Sequence, residues 1–253
     1  MRTALALFGL AVMAVCLVWL ESIPRPERPI QPATGASTAS FPVVVLDPGH
    51  GGKDSGAMCA GIMEKDLTLD VAQRVERRLH DAGFSTMMTR AGDNYISLAD
   101  RAATTNRLRD CILISIHFNE GNKPVSSGIE TYYAERHAVS GPMLASWFPF
   151  LQRVTFETSS LESQSLAGFI QDALVTRTHA VNRGTKTEQF FVLANVRHPA
   201  VLVEGGFISN KEDAGKLGNP EYREMMAEAI NEGILRYRDV LRNGRQEATP
   251  STE

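Results

Sequence analysis

Cysteine is scarce in this chain: three in 253 residues, one of them, Cys16, inside an apolar segment. Cys59 and Cys111 are then the only possible pair downstream, so no disulfide framework organises the fold. Cys59 lies in the loop after His50, but no second cysteine stands near it at zinc-type spacing, which argues against Cys59 as a ligand. A basic excess is also missing. The 26 Lys and Arg are outnumbered by 29 Asp and Glu, for a formal net charge of -3, and the basic residues form no single run. Nucleic acid is therefore not an expected partner. There is no internal repeat and no Gly-x-x-x-x-Gly-Lys-Ser/Thr phosphate loop. Hydrophobic content of 43% and charged content of 22% are ordinary for a globular protein, and the length demands no more than one catalytic domain.

The N-terminus departs from that composition. Residues Ala4 to Leu20 carry no charge, a run long for a secretory leader and just long enough to span a bilayer. Val18-Trp19-Leu20-Glu21 is no small-x-small cleavage site, and Trp19 suits a membrane interface. A retained signal-anchor through residues 4–20 in the inner membrane is expected over a cleaved leader, and either exports the remainder to the periplasm or cell exterior. Cys16 after Met13-Ala14-Val15 is a poor lipidation site. Residues 21–42 are rich in Pro, Ser, Thr and Ala and read as an extended tether. The folded domain is expected over 43–242, with a polar tail at 243–253.

Inside the domain, strand and helix patterns alternate. Strands are expected at Val43–Asp47, Phe84–Thr89, Cys111–Ile116, Gly128–Tyr133, Phe190–Leu193 and Ala200–Val203. Leu67, Val71, Val75 and Leu79 recur every four residues and predict a helix over Asp66–Asp81. Ser97 caps a second helix through Arg109, with Asp100 three residues on. Ser165–Thr178 is a third, and Asn219 with Pro220 opens a fourth to about Leu241. The succession predicts a single α/β domain: a mostly parallel, twisted sheet of about six strands with helices on both faces.

Four residues stand where apolar runs give way to polar or glycine-rich loops. VVVLD leads into Pro48-Gly49-His50-Gly51-Gly52, CILISI leads into His117, and AVLV leads into Glu204; Glu64 opens the first helix. Folds of this class place their chemistry at the carboxyl ends of strands. An acidic residue favours a helix N-terminus for dipole reasons alone, but a loop of about a dozen residues joins Glu64 to the His50 strand, so both reach one sheet edge. A carboxylate delivered by a run as apolar as the one before Glu204 is partly desolvated, which raises its proton affinity. Two histidines and a glutamate, His50, Glu64 and His117, suit one Zn2+ with a coordination position left open. Glu204 is then free to move a proton. The expected reaction is metal-assisted hydrolysis of an amide. Asp47 and Asp54 are candidate supports for the ligand loop, and Arg90, Arg101 and Asn119 either orient substrate or buttress loops. His80, His137, His179 and His198 lack a matching carboxylate motif.

Asp47-Pro48-Gly49-His50-Gly51-Gly52, the downstream Glu64, Ser115-Ile116-His117 and Val203-Glu204-Gly205-Gly206-Phe207-Ile208-Ser209-Asn210 resemble the zinc-dependent N-acetylmuramoyl-L-alanine amidases. Thr89-Arg90, Arg101 with Asn106, Arg183-Gly184 and Phe191-Val192-Leu193 are lesser matches, and the likeness covers roughly residues 43 to 240. The resemblance implies that His50, Glu64 and His117 bind zinc, that Glu204 is the catalytic carboxylate, and that the substrate is peptidoglycan. The bond cut would join the lactyl group of N-acetylmuramic acid to L-alanine. Two features depart from the pattern. Phe118 follows the second histidine where the family has a small residue, implying a narrower groove. Residues 139–163 match nothing in it, and Met143, Leu144, Trp147, Phe148 and Phe150 there form a plug over the metal, a docking surface for an activator protein, or part of the core. A zinc carboxypeptidase and a non-catalytic wall-binding scaffold are the rival readings.

Overall fold

A computed structural model describes residues 43–59, 61–121, 125–135 and 149–247, with side chains described from 160 to 243 in the last stretch. The apolar segment at 4–20 and the tether at 21–42 lie outside these residues. Among the described residues no helix is long and apolar enough to cross a membrane.

The chain runs β1 (Val43–Pro48), β2 (Met58–Cys59), β3 (Ile62–Met63), α1 (Glu64–Asp81), β4 (Thr86–Met88), α2 (Leu98–Asn106), β5 (Cys111–Asn119) and β6 (Ile129–Tyr133). It continues with α3 (Pro149–Thr178), β7 (Asn182–Thr187), α4 (Phe191–Ala194), β8 (Ala200–Phe207), α5 (Lys211–Gly218) and α6 (Pro220–Glu247). Six strands form one sheet in the order β4-β1-β5-β8-β6-β7, and β2 with β3 make a separate small hairpin. The first four strands of that order are parallel. β6 runs antiparallel to β8, and β7 runs parallel to β6.

Side chains alternate across a strand, and this splits the molecule into two cores. Val44, Leu46, Ile112, Ile114, Ile116, Phe118, Val201 and Val203 point to one face. There they meet the four-residue stripe of α1, Leu166, Ile170 and Leu174 of α3, and Met226, Ile230 and Ile234 of α6. Val45, Leu113 and Leu202 point the other way, onto Ala102 of α2 and Val192 and Leu193 of α4. The same alternation sends Asp47, Ser115, His117 and Glu204 to this second face, at the carboxyl ends of three adjacent parallel strands.

The six-stranded, mostly parallel sheet agrees with the sequence reading, but its sixth strand does not. Phe190–Leu193 is no strand; its last three residues fall in the short helix α4, where Val192 and Leu193 plug the smaller core. The missing strand is Asn182–Thr187, a run with no apolar residue. It sits at the sheet edge and pairs only with β6, so it needs no buried face. β5 and β8 continue past their expected ends, which puts His117 and Glu204 inside strands rather than after them. Helix α1 begins at Glu64, two residues early, and α5 was not anticipated.

Helix α3 starts at Pro149, so 149–163 is one continuous helix with the segment beyond it. Buried Ser163 accepts a hydrogen bond from the Ala200 amide at 3.1 Å. Met143, Leu144, Trp147 and Phe148 lie outside the described residues, as does the side chain of Phe150. Phe118 does not narrow any groove: it is 1% exposed and belongs to the main core, on the opposite face from His117.

Where α3 crosses α6, Gly233 lets the backbones touch. A methyl group there would sit 2.7 Å from Cα and 2.8 Å from N of Ile170. Gly233→Ala should therefore destabilise the domain by about 1–3 kcal/mol through overpacking, read by denaturant unfolding. Full stability in that variant would show that the two helices have room to part.

Candidate metal centre

His50 sits in a tight turn after β1, with a left-handed φ of 59°. Two buried arginines hold that turn. Arg101 donates to the carbonyls of Pro48 (2.7 Å) and His50 (2.6 Å), and to the Asp47 carboxylate (2.7 Å). Arg90 donates to the carbonyls of Pro48 (3.0 Å), Gly49 (2.7 Å), Gly92 (3.0 Å) and Lys65 (2.8 Å). Asp47 also accepts from Thr89 (2.6 Å), just past β4, and from Ser115 of β5 (2.8 Å), which closes the network. Both guanidiniums are 3% exposed, so the two arginines buttress the loop from beneath.

The turn brings His50 against Glu64 and His117. Glu64 Oε1 lies 3.0 Å from His50 Nε2, 3.0 Å from His117 Nδ1 and 3.0 Å from the Phe118 amide, while Oε2 accepts from the Ala57 amide at 2.9 Å. The imidazoles meet edge to face, with centroids 4.9 Å apart. Gly49 makes this approach possible, because a Cβ there would fall 2.2 Å from His117 Cε1. Asp54 Oδ2 lies 3.0 Å from His50 Nδ1, the ring nitrogen that faces away from Glu64.

The donor set fits a metal. One ligand atom from each of His50, Glu64 and His117 lies within 4.8 Å of the others, and among the described residues this is the group that could hold an ion. Tetrahedral zinc with ligands about 2.0–2.2 Å away separates neighbouring ligand atoms by roughly 3.3–3.5 Å. The separations of 3.0 Å and the 4.8 Å outer limit bracket that value. Burial would raise the Glu64 pKa, but hydrogen bonds with His117 and His50 outweigh it and hold the carboxyl well below its usual range. Cys59 packs against the main core instead of joining the group, and Cys111 is buried and unpaired, its thiol pushed up to about 12 by burial and then by Asp110.

Glu204 stands beside His117 as its partner across β5 and β8. The residue keeps some solvent exposure, yet its Oε2 is enclosed and has no hydrogen-bond partner. Burial, and then the like charges of Glu64 and Glu130, raise its pKa well above the ordinary carboxylate range. An open cleft beside His50 and His117 is walled by Tyr95, Ile96, Leu98 and Val192.

Glu130 escaped the sequence reading. It faces Glu204 across β6 and β8 and is 3% exposed. It accepts from Asn119 (2.7 Å), Tyr132 (2.8 Å), Arg183 (2.7 Å) and Lys186. Burial raises its pKa, but these partners win and bring it down to about 2. Asn119 thus orients Glu130. The available signal was an acidic residue within an otherwise uncharged strand, Ile129-Glu130-Thr131-Tyr132-Tyr133.

A family model described as N-acetylmuramoyl-L-alanine amidase matches residues 44–236. The chain belongs to that family. It is 34% identical over 207 residues to the uncharacterized protein YqiI of Bacillus subtilis, covering 82% of this chain and 90% of the relative. It is 30% identical to the N-acetylmuramoyl-L-alanine amidase AmiA of Salmonella typhimurium, covering 94% and 90%. Among solved structures, an N-acetylmuramoyl-L-alanine amidase from Clostridium difficile 630 superposes with a TM-score of 0.67 at 31% identity, over 79% of this chain and 98% of that one.

A carboxyl whose pKa is raised by folding binds its proton more tightly in the native state than in the unfolded chain. The resulting stability is complete below the ordinary carboxylate range and is lost as pH rises toward the raised value. In chelator-treated protein, Glu204→Gln should therefore melt above wild type at alkaline pH, with the gap closing on acidification. Parallel melting profiles across pH would show that Glu204 ionises without strain.

Proposed function

We propose that this chain is a zinc-dependent amidase that hydrolyses the amide between the lactyl group of N-acetylmuramic acid and L-alanine of the peptidoglycan stem. The observation that carries the reading is the unpartnered Glu204 carboxyl in register with His117, beside the His50, Glu64 and His117 group. Membership of the amidase family supports the bond chosen.

His50, Glu64 and His117 would hold the zinc. When bound, the ion supplies a Lewis acid that polarises the carbonyl and raises the acidity of water. The chain's own residues perform the rest. The cleft between Tyr95, Leu98 and Val192, beside His50 and His117, receives the substrate. Glu204 accepts a proton from the attacking water as its oxygen bonds to the carbonyl carbon. The same carboxyl then donates that proton to the alanine nitrogen as the carbon–nitrogen bond breaks. Its elevated proton affinity suits it to take up that proton and hold it until the amine leaves. Arg90 and Arg101 keep His50 aimed by satisfying the carbonyls of its turn.

The wall is outside the cytoplasm, and the apolar run at 4–20 with the tether at 21–42 provides export and reach. In this reading the domain works in the periplasm or an equivalent space, held near the membrane.

Glu204→Ala should retain zinc by metal analysis yet lose turnover roughly a hundred- to ten-thousand-fold. Digestion of purified sacculi by wild type should free the amino group of L-alanine and leave the glycan strands whole. Retained turnover in the variant removes Glu204 from the mechanism, and release of a C-terminal stem residue would favour the carboxypeptidase.

A further inference from the structure

The cluster around Glu130 holds more positive charge than it needs. One buried carboxylate is matched by two cations, Arg183 and Lys186, both reaching Glu130 Oε2 from the edge strand β7. A single cation would neutralise Glu130, and Tyr132 and Asn119 already satisfy its other oxygen. The second cation is a surplus. Neither head is buried: the side chains of Arg183 and Lys186 are 33% and 37% exposed. Aromatic faces steady them, with Arg183 4.9 Å from the Phe207 ring centroid and Lys186 5.7 Å from that of Tyr132. Glu204, in register with Glu130, draws neither cation away by a hydrogen bond to its Oε2.

We propose that Arg183 and Lys186, pinned on Glu130, form an anion subsite that recognises a free carboxylate on the stem peptide. The proposal rests on the amidase reading and extends it to substrate selection. Geometry sets which residue carries the carboxylate. Glu204, Glu130 and the two cations occupy β8, β6 and β7, three neighbouring strands. Strands are about 4.8 Å apart, so the cation heads lie roughly 5–10 Å from Glu204. An extended peptide covers about 3.3–3.6 Å per residue, which places the recognised carboxylate on the second or third residue of the stem. Planar Arg183 and compact Lys186 divide the work. Arg183 lies over the Phe207 ring, and Lys186 is a compact point charge with three donors, one of which reaches Glu130.

The test compares a soluble N-acetylmuramoyl tripeptide with free side carboxylates against forms amidated at the second or third residue. For wild type, amidation at one of these positions should lower kcat/KM about tenfold, carried mostly by KM, as expected for loss of one charge-assisted contact. Lys186→Met should erase the difference, and Lys186→Arg should restore it, with zinc content unchanged in both. Equal handling of acid and amide by wild type would overturn the subsite, as would a preference that survives Lys186→Met. If wild type cleaves none of the substrates, the amidase reading fails. Calorimetric titration of the same peptides then decides the subsite by itself: tighter binding of the acid sustains it, and equal affinity sinks it.

Discussion

Two guanidinium groups beneath the first strand–helix turn hold the site together. The turn directs the carbonyls of Pro48, Gly49 and His50 inward, where water does not reach them freely. Buried carbonyls left without donors are costly, so a turn of this shape persists only with donors beneath it. Arg90 and Arg101 supply them, and Asp47 balances the charge of Arg101 from the adjoining strand. His50 is thereby fixed in a backbone conformation that non-glycine residues seldom adopt. Its ring then meets Glu64 and, at the carboxyl end of the neighbouring strand, His117.

Three glutamates share one rim of the sheet, and their surroundings give them different chemistry. Glu64 is wrapped by two imidazoles and two backbone amides, which keep it ionised and in place. Glu130 is equally buried but saturated by Arg183, Lys186, Tyr132 and Asn119. Glu204 lies in register between His117 and Glu130 and has neither cation nor donor at Oε2. Its proton affinity rises because it is buried, and the charges of Glu64 and Glu130 add to that. Environments that push the pKa values of like groups apart let one site hold both an ionised carboxylate and a carboxyl ready to exchange a proton.

The outer helices contribute differently. Ion pairs such as Arg74 with Glu224, Arg78 with Glu228 and Arg177 with Glu232 link α1, α3 and α6 on their solvent side. Partly exposed pairs of this kind add little individually. The buried stripes of Leu67, Val71, Val75 and Leu79, and of Ile230 and Ile234, carry those helices.

Much of the frame was written in local pattern. Buried parallel strands read as unbroken apolar runs, and α1 shows its face every four residues, so the strands that deliver His117 and Glu204 were visible without coordinates. Tertiary structure decided the remainder. β7 is polar throughout because an edge strand is held by backbone pairing, which leaves no hydrophobic period to find. Phe118 turned to the core because strand alternation opposes it to His117. Arg90 and Arg101 reach across distant segments, and a long side chain's role is set by the groups it meets, here backbone carbonyls. Glu130 gained its place beside Glu204 only through an antiparallel pairing between segments some seventy residues apart in sequence. Local pattern governs which face of an element is buried; what that face touches depends on chain segments that no short window of sequence contains.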